Sequence, residues 1–260
     1  LAHASDWSLV NVVETPANTR DALPLRKGTP NSANINRFGF YSDLVFDQKT
    51  GAWYALADRG PGGGLIDYAT RVERLSIPFN KTTGAIGQPV IQKTMLFTGE
   101  DGLVFNGLNP LLLNGDKTML GASFDPEGLA IGNGGHFFVA DEYGPSVYEF
   151  TSSGQFIRAL STPENLKAVD ASALYNYVDG RPTIVGGRQD NRGFEGLTFN
   201  KSGNKLYAVM QDPLVNEGSS NDGRRSRNVR VVEFDAVSGQ STAQFVYELE
   251  SRTVINATNP

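Results

Sequence analysis

The apolar residues of this chain come in short runs that alternate with polar positions and end at turn residues. "YSDLVFD" (41–47), "AWYALADRG" (52–60), "RVERLSIPFN" (71–80) and "QPVIQKTMLF" (88–97) form one set of four. "DPEGLAIG", "HFFVADEYG", "SVYEFTS" and "QFIRALS" (125–161) form a second, and "GFEGLTFN", "KLYAVMQDP", "VRVVEFDA" and "AQFVYELE" (193–250) a third. Period-two patterning between such turns predicts β-strands. One turn recurs: "FDQKTG", "FNKTTG", "FNKSGN" and "FDAVSG" each open with Asp or Asn and close near Gly. The side chain caps its own backbone and Gly supplies the positive φ, which makes these hairpin turns.

Three four-strand meanders in series read as an all-β chain, a β-propeller built of four-stranded antiparallel blades, forming a single domain over 1–260. No βαβ pattern is present. Two segments break the repeat, 100–123 and 162–190. Thr162, Pro163 and Glu164 make a helix start, and Leu166, Val169, Leu174 and Tyr177 keep roughly helical spacing, so a short helical insert is expected around 162–178. Rings of this kind close with about four to eight units. Three units followed by "SRTVINATNP" therefore predict an incomplete part of a longer propeller, to which a second polypeptide could contribute the rest.

In an antiparallel hairpin, the residue before the first strand and the residue after the second share one end. Strands of about six residues place such pairs about 14–17 apart. Asp43 with Asp58, Glu127 with Asp141 and Glu142, and Glu195 with Asp212 all fit, so these acids are expected on one rim. Clustered carboxylates repel unless a cation or basic side chain sits among them. Hard oxygen ligands suit Ca²⁺ or Mg²⁺ rather than zinc, and the candidate ligands are Asp43, Asp58, Glu127, Asp141, Glu142 and Glu195. Arg59, Arg192 and, slightly further off, Arg188 could clamp a phosphate beside the metal. Glu127 or Glu195 is the candidate general base, and Arg59 and Arg192 the candidate phosphate ligands. Asp and Glu beside Gly are also ordinary turn residues, and Asp212, in "QDP", is the weakest of the set.

Composition narrows the classes. With 260 residues, 39% of them hydrophobic and 20% charged, the chain can bury a large core without staples. It has no cysteine, which removes thiol catalysis and disulfides, and only His3 and His136, which leaves neither a zinc site nor a Ser-His-Asp triad. A net charge of −5, with one basic cluster at Arg224, Arg225 and Arg227, argues against nucleic-acid binding. No stretch is long and apolar enough to enter a membrane as a helix. Ala2-His3-Ala4 resembles the end of a secretory signal, so a secreted or periplasmic location is expected. "RGPGGG" (59–64) lacks the following helix and Lys-Ser/Thr of a phosphate loop and reads as a rim loop. Phe137, Phe138, Tyr148, Phe150, Phe194 and Tyr207 read as packing between blades.

"SDLVFDQKTGAWYALADRGPGG", "FDPEGLAIGNGGHFFVADEYGPSVYEF" and "NRGFEGLTFNKSGNKLYAVMQDPL" resemble, in order, the motifs of the phytase-like family with esterase-like activity. That resemblance spans about residues 36–250. It implies an exported β-propeller and phosphoester hydrolysis, with Asp43, Asp58, Arg59, Glu127, Asp141, Glu142, Arg192 and Glu195 at the matching positions. The expected substrate is a small anionic phosphate ester. Two alternatives stay open: a metal-dependent lactone or carboxyl-ester hydrolase, and a non-catalytic, calcium-stabilised binding module.

Overall fold

The computed structural model describes residues 8–24, 35–39, 41–217 and 223–258. The Ala2-His3-Ala4 motif lies outside the described residues. The fold is nearly all-β, with fourteen strands in antiparallel sheets and few helical turns. The first sheet runs β1 (Tyr41–Asp47), β2 (Ala52–Ala57), β3 (Arg71–Ser76) and β4 (Val90–Leu96) in sequence order. The second is β5 (Pro126–Ile131), β6 (Phe137–Asp141), β7 (Ser146–Phe150) and β8 (Phe156–Ala159). A two-stranded ladder, β9 (Val169–Asp170) with β10 (Ile184–Gly186), precedes the third sheet, β11 (Phe194–Phe199), β12 (Lys205–Met210), β13 (Asn228–Asp235) and β14 (Ser241–Glu248).

The repeated turns form as their composition demands. Asp47, Asn80, Asn200 and Asp235 each accept a nearby backbone N–H with the side chain. The glycines that close these turns, Gly51, Gly84, Gly203 and Gly239, all have φ between 64 and 77°.

The middle sheet is covered on both faces, and its period of two sorts the cover. Leu129, Phe137 and Val139 face the first sheet, where Leu56, Val72, Met95 and Phe97 meet them with Phe105 and Phe124. Ala130, Phe138 and Ala140 face the third, against Leu206, Ala208, Val232 and Phe234. Burial on both faces is why "FFVAD" shows no polar alternation. Of the aromatics expected between sheets, Tyr207 departs: its hydroxyl donates to Glu233 at the side of the third sheet remote from the second.

The first strands lie side by side, with β5 between β1 and β11. Gly128 makes the second contact possible, since a Cβ there would stand 2.8 Å from the Leu197 nitrogen and 3.0 Å from the Glu195 carbonyl oxygen. Strands this close bring their leading ends to one place.

The helix expected around 162–178 is reduced to one 3-10 turn, Glu164–Leu166. The Asp170 carboxylate accepts the N–H groups of Ser172 and Leu174, and the Asn176 side chain those of Val178 and Asp179. These local turns take the backbone donors that a helix would need. The 100–123 segment holds a short helix, Pro110–Asn114, capped by Asn109.

Candidate functional site

The register at the sheet ends decides which acids meet. Between Tyr41 and Asp43, between Pro126 and Gly128, and between Phe194 and Gly196, the pairing of each first strand slips by one residue. Ser42, Glu127 and Glu195 are thus the bulged residues of β1, β5 and β11. A bulge leaves its extra residue outside the ladder and re-aims its side chain. The residues opposite follow suit: Ala57, Asp141 and Met210 pair with Tyr41, Pro126 and Phe194, so Asp58, Glu142 and Gln211 come next at equivalent positions.

This register separates the expected acids by what their carboxylates touch. Asp43 falls one place beyond the bulge, equivalent to Gly128 and Gly196. Its oxygens accept the N–H of Leu129 at 2.7 Å, across to β5, and its own neighbour's at 2.7 Å. It joins two sheets rather than facing the shared opening. Asp141, fully buried, accepts the N–H groups of Asp125 (3.0 Å), Tyr143 (3.1 Å) and Gly144 (2.7 Å) and so fixes the turn after β6. Arg188 is likewise engaged: its guanidinium donates to the carbonyls of Tyr143, Gln189 and Tyr177.

The remaining acids converge. Oxygens of Asp125, Glu127 and Glu142 all lie within 4.8 Å of one another. Asp125 was not singled out from the sequence, although it stands two residues before Glu127 in the same motif. Burial pushes the Glu127 carboxyl up to about 9, helped by the charges of Asp125, Glu195 and Asp58, while a Ser42 hydroxyl hydrogen bond opposes the shift. Burial also takes Glu142 to about 9, with Asp125, Glu127 and Glu195 adding repulsion. Asp125 rises only to about 6, because Arg59 opposes its burial. Asp58 is raised by burial as well, and its Oδ1 accepts the Gly60 N–H at 2.7 Å.

Two arginines flank the cluster. The Arg59 backbone N–H donates to Asp125 Oδ1 at 3.1 Å, and its guanidinium Nη1 stands 3.2 Å from Asp125 Oδ2. Gly107 lets this loop approach, since a Cβ there would overlap the Arg59 carbonyl at 2.0 Å. Arg192 Nη1 is 3.6 Å from Glu142 Oε1, and its Nε is 3.5 Å from Asp212 Oδ2. Asp212 thus reaches the site only through Arg192.

Asn191, which nothing in the sequence marked, connects the two flanks. Its side-chain oxygen accepts from Arg59 and its amide donates to Glu142. Its φ of 48° is one that Asn adopts more readily than most residues.

The donor set suits a hard cation. Ca²⁺ binds six to eight oxygens at about 2.3–2.6 Å, so ligands of one ion stand no more than about 5 Å apart, a condition the Asp125, Glu127 and Glu142 oxygens meet. Asp125 Oδ2, Glu142 Oε1, Glu195 Oε2 and Gln211 Oε1 are buried and accept no hydrogen bond among the described residues. Buried oxygens without donors are costly unless something positive reaches them. Among the described residues, Asp58, Asp125, Glu127, Glu142 and Glu195 have Arg59 and Arg192 against them and the buried Arg188 further off near Glu142, so the carboxylates outnumber the cations if all ionise. The residues present therefore fit a divalent cation.

Comparison with known proteins places this geometry in a family. The family model described as phytase-like, esterase-like activity of phytase, matches residues 36–259. An uncharacterized secreted protein of Arthroderma benhamiae is 28% identical, over 85% of this chain and 54% of its own length. The chain thus spans about half of that relative. Among solved structures, the Dos1 propeller aligns with 82% of this chain and 39% of its own at 13% identity and a TM-score of 0.35. Hydrazine synthase of Kuenenia stuttgartiensis aligns with 80% of this chain and 49% of its own at 11% identity and a TM-score of 0.29. TM-scores of this size do not establish a shared fold. Among the described residues no helix is long and apolar enough to cross a membrane. The match over nearly the whole sheet region shows that the chain belongs to the phytase-like family.

Proposed function

Starting from that membership, we propose that the acid-and-arginine cluster is a cation-dependent site that hydrolyses a small phosphate ester. The three four-stranded sheets are blades of a propeller, and the cluster sits where their first strands meet. The observation that carries the reading is the group of Asp125, Glu127 and Glu142 oxygens within 4.8 Å of one another, with Arg59 and Arg192 against it.

Asp125, Glu127 and Glu142 hold the cation, and Gln211 and Asp58 stand nearby at equivalent register positions. Ca²⁺ or Mg²⁺ bound there supplies positive charge that polarises a phosphoryl oxygen and shields the anionic ester from the carboxylates. Arg59 and Arg192 bind the other phosphoryl oxygens through their N–H forks. Asn191 keeps both flanks in register by accepting from Arg59 and donating to Glu142. Glu195 is the better placed of the two candidate bases, because Glu127 belongs to the cation-holding group while Glu195 Oε2 accepts no hydrogen bond among the described residues. It takes a proton from water as the water oxygen bonds to phosphorus and the phosphorus–alkoxide bond breaks; the protonated Glu195 returns that proton to the alkoxide, which leaves as the alcohol. A secreted location agrees with the description of the Arthroderma relative.

A screen of phosphomonoesters, phosphodiesters and p-nitrophenyl acyl esters across a calcium and magnesium titration tests this. Phosphate release that requires the metal and falls at least a hundredfold in Glu195→Gln and Arg59→Ala is expected. Acyl-ester cleavage that survives Arg59→Ala and Arg192→Ala would identify a carboxyl-ester hydrolase instead. Calcium binding with no turnover of any class would identify a binding module.

A further inference from the structure

Beside the acidic cluster lies a cavity of about 410 Å³ whose lining is different in kind. Arg181, Gln189, Asp190, Arg192, Asp212 and Arg224 surround it, so three guanidiniums face two carboxylates. Arg181 is held from two sides: its Nε donates to Gln189 Oε1 at 3.1 Å and its Nη2 to the Val215 carbonyl at 3.1 Å. Because Arg can only donate, the Gln189 oxygen must face it, and the Gln189 amide is left as the donor. Gln189 is 5% exposed, and its Nε2 finds no acceptor among the described residues. Gly223 lies against that amide, where a Cβ would stand 2.6 Å from Nε2, and Arg224, the next residue of the turn Gly223–Arg225, lines the cavity. A buried amide donor among three arginines calls for an acceptor that carries negative charge and several oxygens.

Arg192 belongs to both places. Its Nε reaches 3.5 Å from Asp212 on the cavity side, and its Nη1 lies 3.6 Å from Glu142 Oε1 on the acidic side. Both distances are too long for good hydrogen bonds; the guanidinium is anchored by Nη1 donating to the Asn191 carbonyl at 2.7 Å, and its two carboxylate partners are weak and exchangeable around that anchor. An anion in the cavity draws Arg192 towards itself and away from Glu142, which frees that carboxylate for a cation.

We propose that the Arg181–Arg192–Arg224 cavity binds a tetrahedral oxyanion without needing a metal, and that Arg192 couples this site favourably to cation binding at Glu142. The site rests on the cavity alone, and only the coupling rests on the cation reading above. By reciprocity, oxyanion and cation each tighten the other by the same factor. The oxyanion is either a free ion or a second anionic group of the ester bound next door, and the two sources are separable.

The test is calorimetric titration of inorganic phosphate into the metal-free protein at constant ionic strength. One saturable site per chain is expected, weakened at least tenfold in Arg181→Ala/Arg224→Ala. Calcium should tighten it severalfold in the parent and not in Arg192→Ala. A bisphosphate ester that binds at least tenfold tighter than a monophosphate ester, with the advantage lost in Arg181→Ala/Arg224→Ala, assigns the site to the substrate; equal affinities assign it to the free ion. Gln189→Glu, which puts a carboxylate where the amide donor stands, should abolish phosphate binding while thermal unfolding stays cooperative. No saturable binding in the parent, or binding unaffected by Arg181→Ala/Arg224→Ala and Gln189→Glu, overturns the site whether or not the protein hydrolyses esters. Phosphate binding that calcium leaves unchanged in the parent overturns the coupling.

Discussion

Two parts of this molecule bury several acids, and they handle the charge in opposite ways. At the first sheet, Arg71 is 1% exposed, pairs with Asp21, donates to the carbonyls of Ala69 and Ile35, and lies 4.2 Å over the Tyr68 ring. Beside it, burial raises Glu73 to about 8 while a Thr94 hydroxyl bonds its other oxygen. One guanidinium therefore meets one ionised carboxylate, and the second acid keeps its proton near neutrality. At the meeting of β1, β5 and β11, five acids lie against Arg59 and Arg192, with Arg188 further off, and Asp125, Glu127 and Glu142 bring oxygens within 4.8 Å of one another. Burial of acids is common to both regions. Only in the second do carboxyls crowd together so that two of them, Glu127 and Glu142, hold protons side by side, and that imbalance of acids over cations, which a bound cation relieves by displacing the protons, marks a candidate site.

The sharpest way to break the comparison is to unbalance the balanced region. Arg71→Met strands Asp21 in the interior, and urea unfolding should show a loss of about 3–5 kcal/mol, which calcium does not restore. At the other region the expected sign is reversed. Glu127→Gln/Glu142→Gln should stabilise the metal-free protein, because the folded state no longer has to keep two buried carboxyls protonated that the unfolded state ionises.

The calcium response comes next in size. In the parent, free calcium at a hundred times its dissociation constant should stabilise by about 2.7 kcal/mol; EDTA should reverse this and the double variant should lack it. Glu127 and Glu142 titrate near 9 when folded and near the ordinary carboxylate range when unfolded. Metal-free stability should therefore fall as pH rises from about 4.5 to about 9, since the folded state holds protons that the unfolded state has lost. Calcium affinity should rise over the same range, because the cation displaces those protons.

Glu73 gives a smaller effect of the same sign. Its folded value of about 8 means that stability is fully present below the unfolded carboxylate value and is lost as pH rises towards 8. Glu73→Gln should flatten that slope by an amount on the order of 2 kcal/mol between pH 5 and 8, with the calcium response intact. Least of all, Asp43→Ala removes the hydrogen bond to Leu129 and should cost about 1 kcal/mol without changing calcium affinity, since Asp43 joins sheets and does not face the cluster.

Much of the fold was legible because local chemistry and global architecture agree. The four Asn- or Asp-to-Gly turns form as their residues require, and all three four-strand sets pair in the order of the chain. The site was legible only to within a residue. Spacing alone selected Asp43 as the partner of Glu127 and Glu195, whereas the bulge makes Ser42 the equivalent position, and a single slip turns a side chain from the opening to a neighbouring strand. Asp141 and Glu142 look interchangeable in "ADEYG", yet the first caps a turn with three backbone bonds and the second faces the cluster. Asn191 and Gln211 are neutral residues with no pattern of their own. Only the approach of the sheets and the connection before β11 gives them a role. The helix expected after Thr162 failed because Asp170 and Asn176 hold the backbone in local turns that periodicity cannot reveal.

Calorimetric titration of calcium at pH 8 into the metal-free parent and into Glu142→Gln, each in two buffers of different protonation enthalpy, measures the imbalance itself. One site in the parent, with a buffer-dependent heat that reports proton release, and at least a hundredfold weaker binding in Glu142→Gln is the predicted result. No binding by the parent, or equal affinity in the two proteins, would mean that the Asp125, Glu127 and Glu142 oxygens hold no cation.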